Sequence, residues 1–397
     1  MKQAQVSEGK LLTVAGFAWL FDAMDVGLLS FIIAALKNEW QLSTVQMGWI
    51  GSVSSIGMAV GALFFGILAD RIGRRDVLVL TLLLFSVGSG ISVLATRFGL
   101  FILIRFFVGA GLGGELPVAS TLVSESVAPE KRGRIVVLLE SFWAGGWIIA
   151  ALVAYFVIPN FGWRVAALGT ALTGVYALYV RWQIHEPVRN DKTTRPTLGQ
   201  NIRAVWAPQH AKATLMLWIL WFTVVFSYYG MFLWLPSVLV LKGYSLLNSF
   251  GYVLAMTLAQ LPGYFTAAWL IEKWGRKRVL VVYLLGTALS AYFFGNASSL
   301  VSVLIFGALL SFFDLGAWGA LYAYSPEQYP AVIRGTGTGM AAAFGRIGGI
   351  VGPLLVGYML TAQISVTVIF TIFTGAIVVG ILAVALLGEE TRGRVLA

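Results

Sequence analysis

The sequence predicts an all-α membrane protein of twelve transmembrane helices in two six-helix bundles. Three observations predict it. Of 397 residues, 59% are hydrophobic and only 11% are charged, where a soluble domain carries about a quarter charged residues. That is too little polar surface to cover a water-facing globule. The apolar residues fall into twelve runs, each near the ~20 residues that span a bilayer. The basic residues collect in the short segments between alternate runs, as positive-inside topology requires.

The same composition excludes several classes. There is no cysteine, and the two histidines, His185 and His210, share one polar segment. Disulfide, thiolate and histidine-based metal chemistry are therefore not expected. The net charge of +10 sits in loops, which is membrane topology and not a nucleic-acid surface. No G-x-x-x-x-G-K loop is present, so direct ATP drive is not expected. No nucleophile–base set is present either, so the chain is not expected to be an enzyme or to carry a cofactor.

In chain order, the first run, about Leu11 to Leu36, is too long for a signal-peptide core and carries two acids, Asp22 and Asp25. Six runs precede a polar stretch from about Arg181 to Lys212, and six follow it. The expected organisation is an N-terminal bundle over 1–182, a cytoplasmic linker over 183–212 and a C-terminal bundle over 213–397. With both termini on the cytoplasmic side, only Lys37, Arg97, Arg164 and Lys242 fall in outer loops. The reverse topology would place the large basic group outside.

The halves repeat. An offset of 202 residues relates Gly61 to Gly263, Asp70 to Glu272, Gly73 to Gly275, Arg74 to Arg276 and Arg75 to Lys277. The same offset relates Glu125 to Glu327 and Arg132 to Arg334. Parallel repeats of this kind are a transporter plan, with the substrate held near the midplane between them.

Ionisable groups within membrane spans are costly and so are functional candidates. Span one holds Asp22 and Asp25, span four Arg105, span ten Asp314 and span eleven Arg346. A buried acid that gains and loses an arginine partner can take up and release a proton. The candidate pairs are an acid of span one with Arg105, and Asp314 with Arg346. Permanent interhelix ties are the plainer alternative for both. Aromatic residues accompany these charges: Trp143 in span five, Tyr228 and Tyr229 in span seven, and the Asp314, Trp318, Tyr322 stripe in span ten. An aromatic cage with an arginine suits a flat, anionic ring, whereas ordinary packing accounts for any one of these side chains alone.

The loop running from Gly66 through Asp70 and Gly73 to Arg74 and Arg75 resembles the conserved loop of the major facilitator superfamily. Arg105, Gly109, Gly111 and Gly113 resemble its fourth-helix pattern, and Glu125, Pro129, Arg132 and Arg134 the loop that follows in sugar-porter-like members. Glu186-Pro187-Val188-Arg189 and Glu390-Thr391-Arg392-Gly393 resemble its half-ending signatures. The second-half loop departs from the pattern, with Ala268 for glycine and Glu272 for aspartate. The resemblance covers nearly the whole chain. It implies a major facilitator fold and a conformational network of Gly66, Asp70, Gly73, Arg74, Arg75, Glu125, Arg132, Glu327 and Arg334.

A closer resemblance rests on Asp22-Ala23-Met24-Asp25, Gly113-Gly114-Glu115-Leu116-Pro117, Ser227-Tyr228-Tyr229-Gly230 and Trp318 with Glu327-Gln328-Tyr329-Pro330. Together they resemble the bacterial niacin permease family (NiaP), itself similar to the synaptic vesicle glycoprotein transporters. That resemblance implies uptake of nicotinate, with nicotinamide as a further candidate, across a bacterial cell membrane by a monomeric, multi-pass chain. It implies a substrate pocket of Asp22, Trp143, Tyr228, Tyr229, Trp318, Tyr322 and Arg346. Asp25 and Arg105 resemble the sugar-porter proton-coupling positions, and with the buried acid Asp314 they are the expected proton-coupling residues. Three other expectations stand beside it: a symporter of benzoate-like aromatic acids, a drug–proton exporter, and a membrane sensor that binds without transporting.

Overall fold

The computed structural model describes residues 8–72, 74–126, 132–173, 175–176, 179 and 198–392. Every regular element among them is an α-helix. They are α1 (Glu8–Glu39), α2 (Thr44–Ile72), α3 (Arg74–Ser92), α4 (Phe98–Ser126), α5 (Arg132–Ala171), α6 (Leu198–Val205), α7 (Pro208–Phe232) and α8 (Leu235–Leu241). Then follow α9 (Leu246–Thr257), α10 (Gln260–Trp274), α11 (Arg276–Asn296), α12 (Leu300–Glu327), α13 (Ala331–Thr361) and α14 (Val366–Leu387). In the described residues, nine segments are long and apolar enough to cross a bilayer. Outward-facing side chains such as Leu63, Phe64, Phe107 and Leu386 are exposed, while Asp22, Asp25, Arg105 and Asp314 are buried. An apolar exterior around a charged interior is the polarity expected of helices solvated by lipid.

The chain divides into two compact units: Met1–Ile32 with Val53–Glu186, and Ile33–Ser52 with Pro187–Ala397. In the first unit, glycines set how closely the helices approach. A Cβ on Gly57 would strike the Phe106 carbonyl, one on Gly61 the Ala110 carbonyl, one on Gly109 the Ser54 carbonyl, and one on Gly113 the Met58 carbonyl. So α2 and α4 touch backbone to backbone, the small-residue packing that replaces hydrophobic drive inside a membrane. Gly111, on another face of α4, meets the Thr81 carbonyl and the Phe85 amide of α3. The glycine run of α4 is thus what lets one helix seat against two neighbours. The long α5 is broken by Gly162, whose φ of 84° lies in the left-handed region. Beyond it, Arg164 donates to the carbonyls of Val93 and Ala95 at 3.2 and 3.1 Å, just past the C-terminal end of α3.

The second unit repeats the scheme. A Cβ on Gly263 would strike the Phe312 carbonyl; the offset that carries Gly61 to Gly263 also carries Ala110 to Phe312. The helices α7 and α13 pack closely because Gly345, Gly348 and Gly352 face the backbones of Trp221, Phe222 and Phe226. Lys242 Nζ donates to the carbonyls of Gly295 and Ala297 at 3.3 and 2.9 Å. Its role at the end of α11 matches that of Arg164 at the end of α3. Two of the four basic residues expected in outer loops are therefore helix C-terminal caps, which neutralise orphan carbonyls and the negative end of the helix dipole.

The start of α2 packs within the second unit. Thr44 Oγ1 donates to the Gly357 carbonyl at 3.1 Å and lies 2.8 Å from Thr361 Oγ1. Ser52 Oγ donates to the Ile350 carbonyl at 2.6 Å. A Cβ on Gly48 would lie 2.7 Å from the Pro353 carbonyl, which also accepts from Trp234 Nε1 at 3.1 Å.

Candidate functional site

The polar centre of the first unit is an ion pair. Arg105 Nη1 lies 3.0 Å from Asp25 Oδ2, with both side chains buried. Ser89 Oγ of α3 donates to Asp25 Oδ1 at 2.9 Å. One turn after Arg105, Gly109 seats α4 against the Ser54 carbonyl of α2, and the Arg105 guanidinium lies 5.3 Å from the Phe101 ring centre. The expected pairing of a span-one acid with Arg105 is thus present through Asp25. Asp22, one turn earlier on α1, is buried as well. Trp143 is buried with its ring 5.8 Å from that of Trp19.

In the second unit the aromatic side chains gather around α7 and α12. The rings of Tyr228 and Trp318 are 4.8 Å apart, those of Trp318 and Tyr322 5.9 Å, and those of Tyr228 and Tyr229 5.2 Å. Phe232 stacks on Tyr228 at 5.0 Å, and Trp221 meets Tyr322 edge-on at 5.0 Å. Trp221 Nε1 donates to Ser325 Oγ at 2.9 Å, which fixes the tryptophan plane. Arg346 Nη1 donates to Tyr229 Oη at 3.3 Å from a partly exposed position.

The expected pairing of Asp314 with Arg346 does not occur; among the described residues Asp314 makes no ion pair, and the Arg346 bond is to Tyr229. The reason lies in the packing of α13. Gly345, beside Arg346, presses on the α7 backbone at Trp221, so the guanidinium is carried to α7 rather than to α12.

The ends of α10–α12 and α14 carry a charged cluster. Arg276 Nε lies 3.1 Å from Glu327 Oε2, and its Nη1 lies 3.3 Å from Glu272 Oε2. Glu390 Oε1 accepts from the Arg276 amide at 2.9 Å, capping the start of α11. Gly275, at φ 97°, leaves the space that the Glu390 carboxylate occupies. Thr391 donates to Glu327, and Lys277 Nζ donates to the carbonyls of Ala385 and Gly388 at 3.0 and 2.9 Å. Arg334 Nε donates to the Tyr329 carbonyl at 3.3 Å. The first-half counterparts lie outside the described residues: Gly73 entirely, and Gly66 and the side chains of Asp70, Arg74, Arg75, Glu125 and Arg132.

Four contributors escaped the sequence reading. Ser89, Trp221 and Phe232 look like ordinary span residues, and nothing in their spacing marks them. Gln260 carried a signal, because the Gln260-Leu261-Pro262-Gly263 run in mid-span marks a break between α9 and α10.

Two bundles of apolar helices with charges buried inside and glycine-tight interfaces define a polytopic membrane transporter fold. The chain belongs to the Major Facilitator Superfamily, whose sequence profile matches residues 15–259 and 251–396. It is a multi-pass membrane protein. It is similar to a protein of Bacillus subtilis (strain 168) that carries the name niacin/nicotinamide transporter NiaP, with 63% identity over 98% of each chain. It is also similar to the niacin transporter NiaP of Acinetobacter baylyi, at 46% identity over 97% of this chain and 95% of that one. The solved structure of the proton:xylose symporter XylE superposes with a TM-score of 0.78 at 17% identity, covering 98% of this chain and 97% of that one. At that identity the likeness speaks for the fold alone.

Proposed function

We propose that this chain imports nicotinate across the bacterial cell membrane by alternating access with proton symport, both termini being cytoplasmic. The observation that carries the substrate class is the arginine–aromatic group of the second unit. Arg346, Tyr229, Tyr228, Trp318 and Tyr322 present a guanidinium beside a cluster of edge-on and tilted aromatic rings. A planar aromatic carboxylate satisfies both features, with its ring against aromatic faces and its carboxylate forked on the guanidinium. The names of the two bacterial relatives narrow that class to niacin. Asp22 and Trp143, both buried in the first unit, are further residues proposed for substrate recognition. Nicotinamide lacks the carboxylate charge, so losing a charge-assisted bond worth about 1.5–3 kcal/mol weakens its binding by about tenfold or more.

Coupling falls to Asp25, Arg105 and Asp314. An anion entering a negative-inside cell needs an accompanying cation, and the buried Asp25–Arg105 pair can release its carboxylate to a proton when the arginine withdraws. The Glu327–Arg276–Glu390 cluster is proposed to latch the cytoplasmic ends of the second half, with the first-half loop as its counterpart. The halves 1–182 and 213–397, joined by 183–212, are the proposed functional domains.

The test is uptake of labelled nicotinate into proteoliposomes with an inward proton gradient, competed by nicotinamide, benzoate and a sugar. Accumulation blocked by excess nicotinate, and weakly by nicotinamide, is the expected result. Preference for benzoate makes the chain an aromatic-acid symporter. Binding without flux makes it a sensor.

A further inference from the structure

We propose that Gln260, Ser311 and Asp314 form a second site, within the second unit, for a hard monovalent cation, delivered as a proton or as Na+. The site deepens the transport reading above, on which it rests, by giving Asp314 its partners.

The span from Leu246 to Trp274 is broken at its middle. The helix α9 stops at Thr257 and α10 starts at Gln260. Pro262 causes the break, since it has no N–H for the carbonyl four residues earlier and its ring opposes a continuous helix. Interrupted helices persist in a bilayer where the freed polar groups serve a binding site or are otherwise satisfied. Gln260, the first residue of α10, is fully buried, and neither its Oε1 nor its Nε2 has a hydrogen-bond partner among the described residues. An amide buried without a partner costs about 1–3 kcal/mol. An unbroken helix with a leucine here would avoid that cost.

The first turns of α10 face a matching group on α12. A Cβ on Gly307 would touch the Met256 side chain, one on Gly263 the Phe312 carbonyl, and one on Gly316 would lie 3.0 Å from the Gly263 carbonyl. Gln260 sits one turn from Met256 and one from Gly263, so it lies level with the stretch between Gly307 and Gly316. That stretch carries Ser311 and Asp314, at 0% and 2% exposure, with Ser311 Oγ and Asp314 Oδ2 both lacking hydrogen-bond partners among the described residues. Three buried side chains, each with at least one polar atom lacking a hydrogen-bond partner among the described residues, therefore share one level of two touching helices.

Their chemistry selects the ligand. A carboxylate, a hydroxyl and an amide carbonyl offer hard oxygen donors, the set that suits protons and alkali cations rather than soft metals. The titratable or charged groups on the elements packed around them include Tyr252 on α9, Tyr264 on α10, Tyr283 and Tyr292 on α11, Tyr228 and Tyr229 on α7, and Tyr358 and Arg346 on α13, Arg346 being bonded to Tyr229. Glu272, Lys273, Arg276, Lys277, Arg278, His210, Lys212 and Arg334 lie toward the ends of these helices. No ion pair reaches Asp314 among the described residues, so the neutralising charge comes from solution.

The test uses the full chain in proteoliposomes. Nicotinate exchange without any gradient first checks transport itself; if the wild type shows none, the transport reading falls on its own. Accumulation is then measured against external pH at fixed Na+, and against NaCl replaced by choline chloride at fixed pH. Gln260→Leu and Ser311→Ala are each expected to weaken the half-maximal cation requirement about tenfold in the same arm. A shift in the pH arm assigns a proton and a shift in the Na+ arm assigns sodium. Asp314→Asn is expected to remove the response of that arm. Gln260→Glu adds a carboxylate and is expected to strengthen the requirement, which covers the case in which Gln260→Leu does not fold. Wild-type midpoints in both arms for folded Gln260 and Ser311 variants overturn the proposal.

Discussion

Arg105 Nη1 and Asp25 Oδ2 meet at 3.0 Å inside the first unit, joining α4 to α1 where almost no solvent reaches either side chain. Breaking a buried pair from one side strands the other charge, which costs about 3–5 kcal/mol. Arg105→Ala should therefore lower thermal stability strongly in detergent. Asp25→Asn should lower it as well, because the amide can keep the Ser89 hydrogen bond but leaves the Arg105 guanidinium buried without its counter-charge. Proton-driven accumulation should be lost in both, and full accumulation by Asp25→Asn would remove Asp25 from coupling.

Arg346 and Tyr229 lead to a second expectation. Arg346→Ala should weaken nicotinate binding by about 100-fold, in line with about 3 kcal/mol for a charge-assisted contact. Tyr229→Phe should weaken it less, since the guanidinium remains. Isothermal titration on folded variants reads both. Unchanged affinity in Arg346→Ala would make this residue a structural tie.

The glycine contacts predict failures of packing. Gly61→Val and Gly263→Val each drive a side chain into a backbone carbonyl, of Ala110 and of Phe312. Backbone cannot yield as a flexible side chain can, so each substitution should cost about 3 kcal/mol or more. Gly339→Ala, which meets nothing within 4 Å, should be close to neutral. Yield of folded protein by fluorescence-detected chromatography separates the three.

The Thr44–Thr361 contact offers a lock. The chain contains no cysteine, so Thr44→Cys with Thr361→Cys introduces a single pair whose parent hydroxyls are 2.8 Å apart. Oxidation should join the start of α2 to the end of α13 and stop uptake, and dithiothreitol should restore it. Undiminished uptake by the fully oxidised pair would show that these ends need not part.

Helix capping predicts a smaller effect. Lys242→Met removes the donor to Gly295 and Ala297 at the end of α11. The loss should be about 1 kcal/mol, visible as a lower melting temperature with transport intact.

By itself the sequence determined the architecture. Composition demanded a membrane, run lengths supplied the spans, and the repeat at an offset of 202 residues proved to be a packing repeat as well, in Gly61 on Ala110 and Gly263 on Phe312. These are legible because they depend on local hydropathy and on glycine, whose role needs only a close neighbour. The sequence also named Asp25 and Arg105, since a charge in an apolar run stands out wherever it sits. What only the tertiary structure decided was partnership. Arg346 met Tyr229 and not Asp314, because glycines beside it press α13 onto α7. Ser89 became the second hold on Asp25, and Gln260 came level with Ser311 at a broken helix. Which face of a helix meets which neighbour depends on packing rotations of a few tens of degrees, and no linear spacing encodes them.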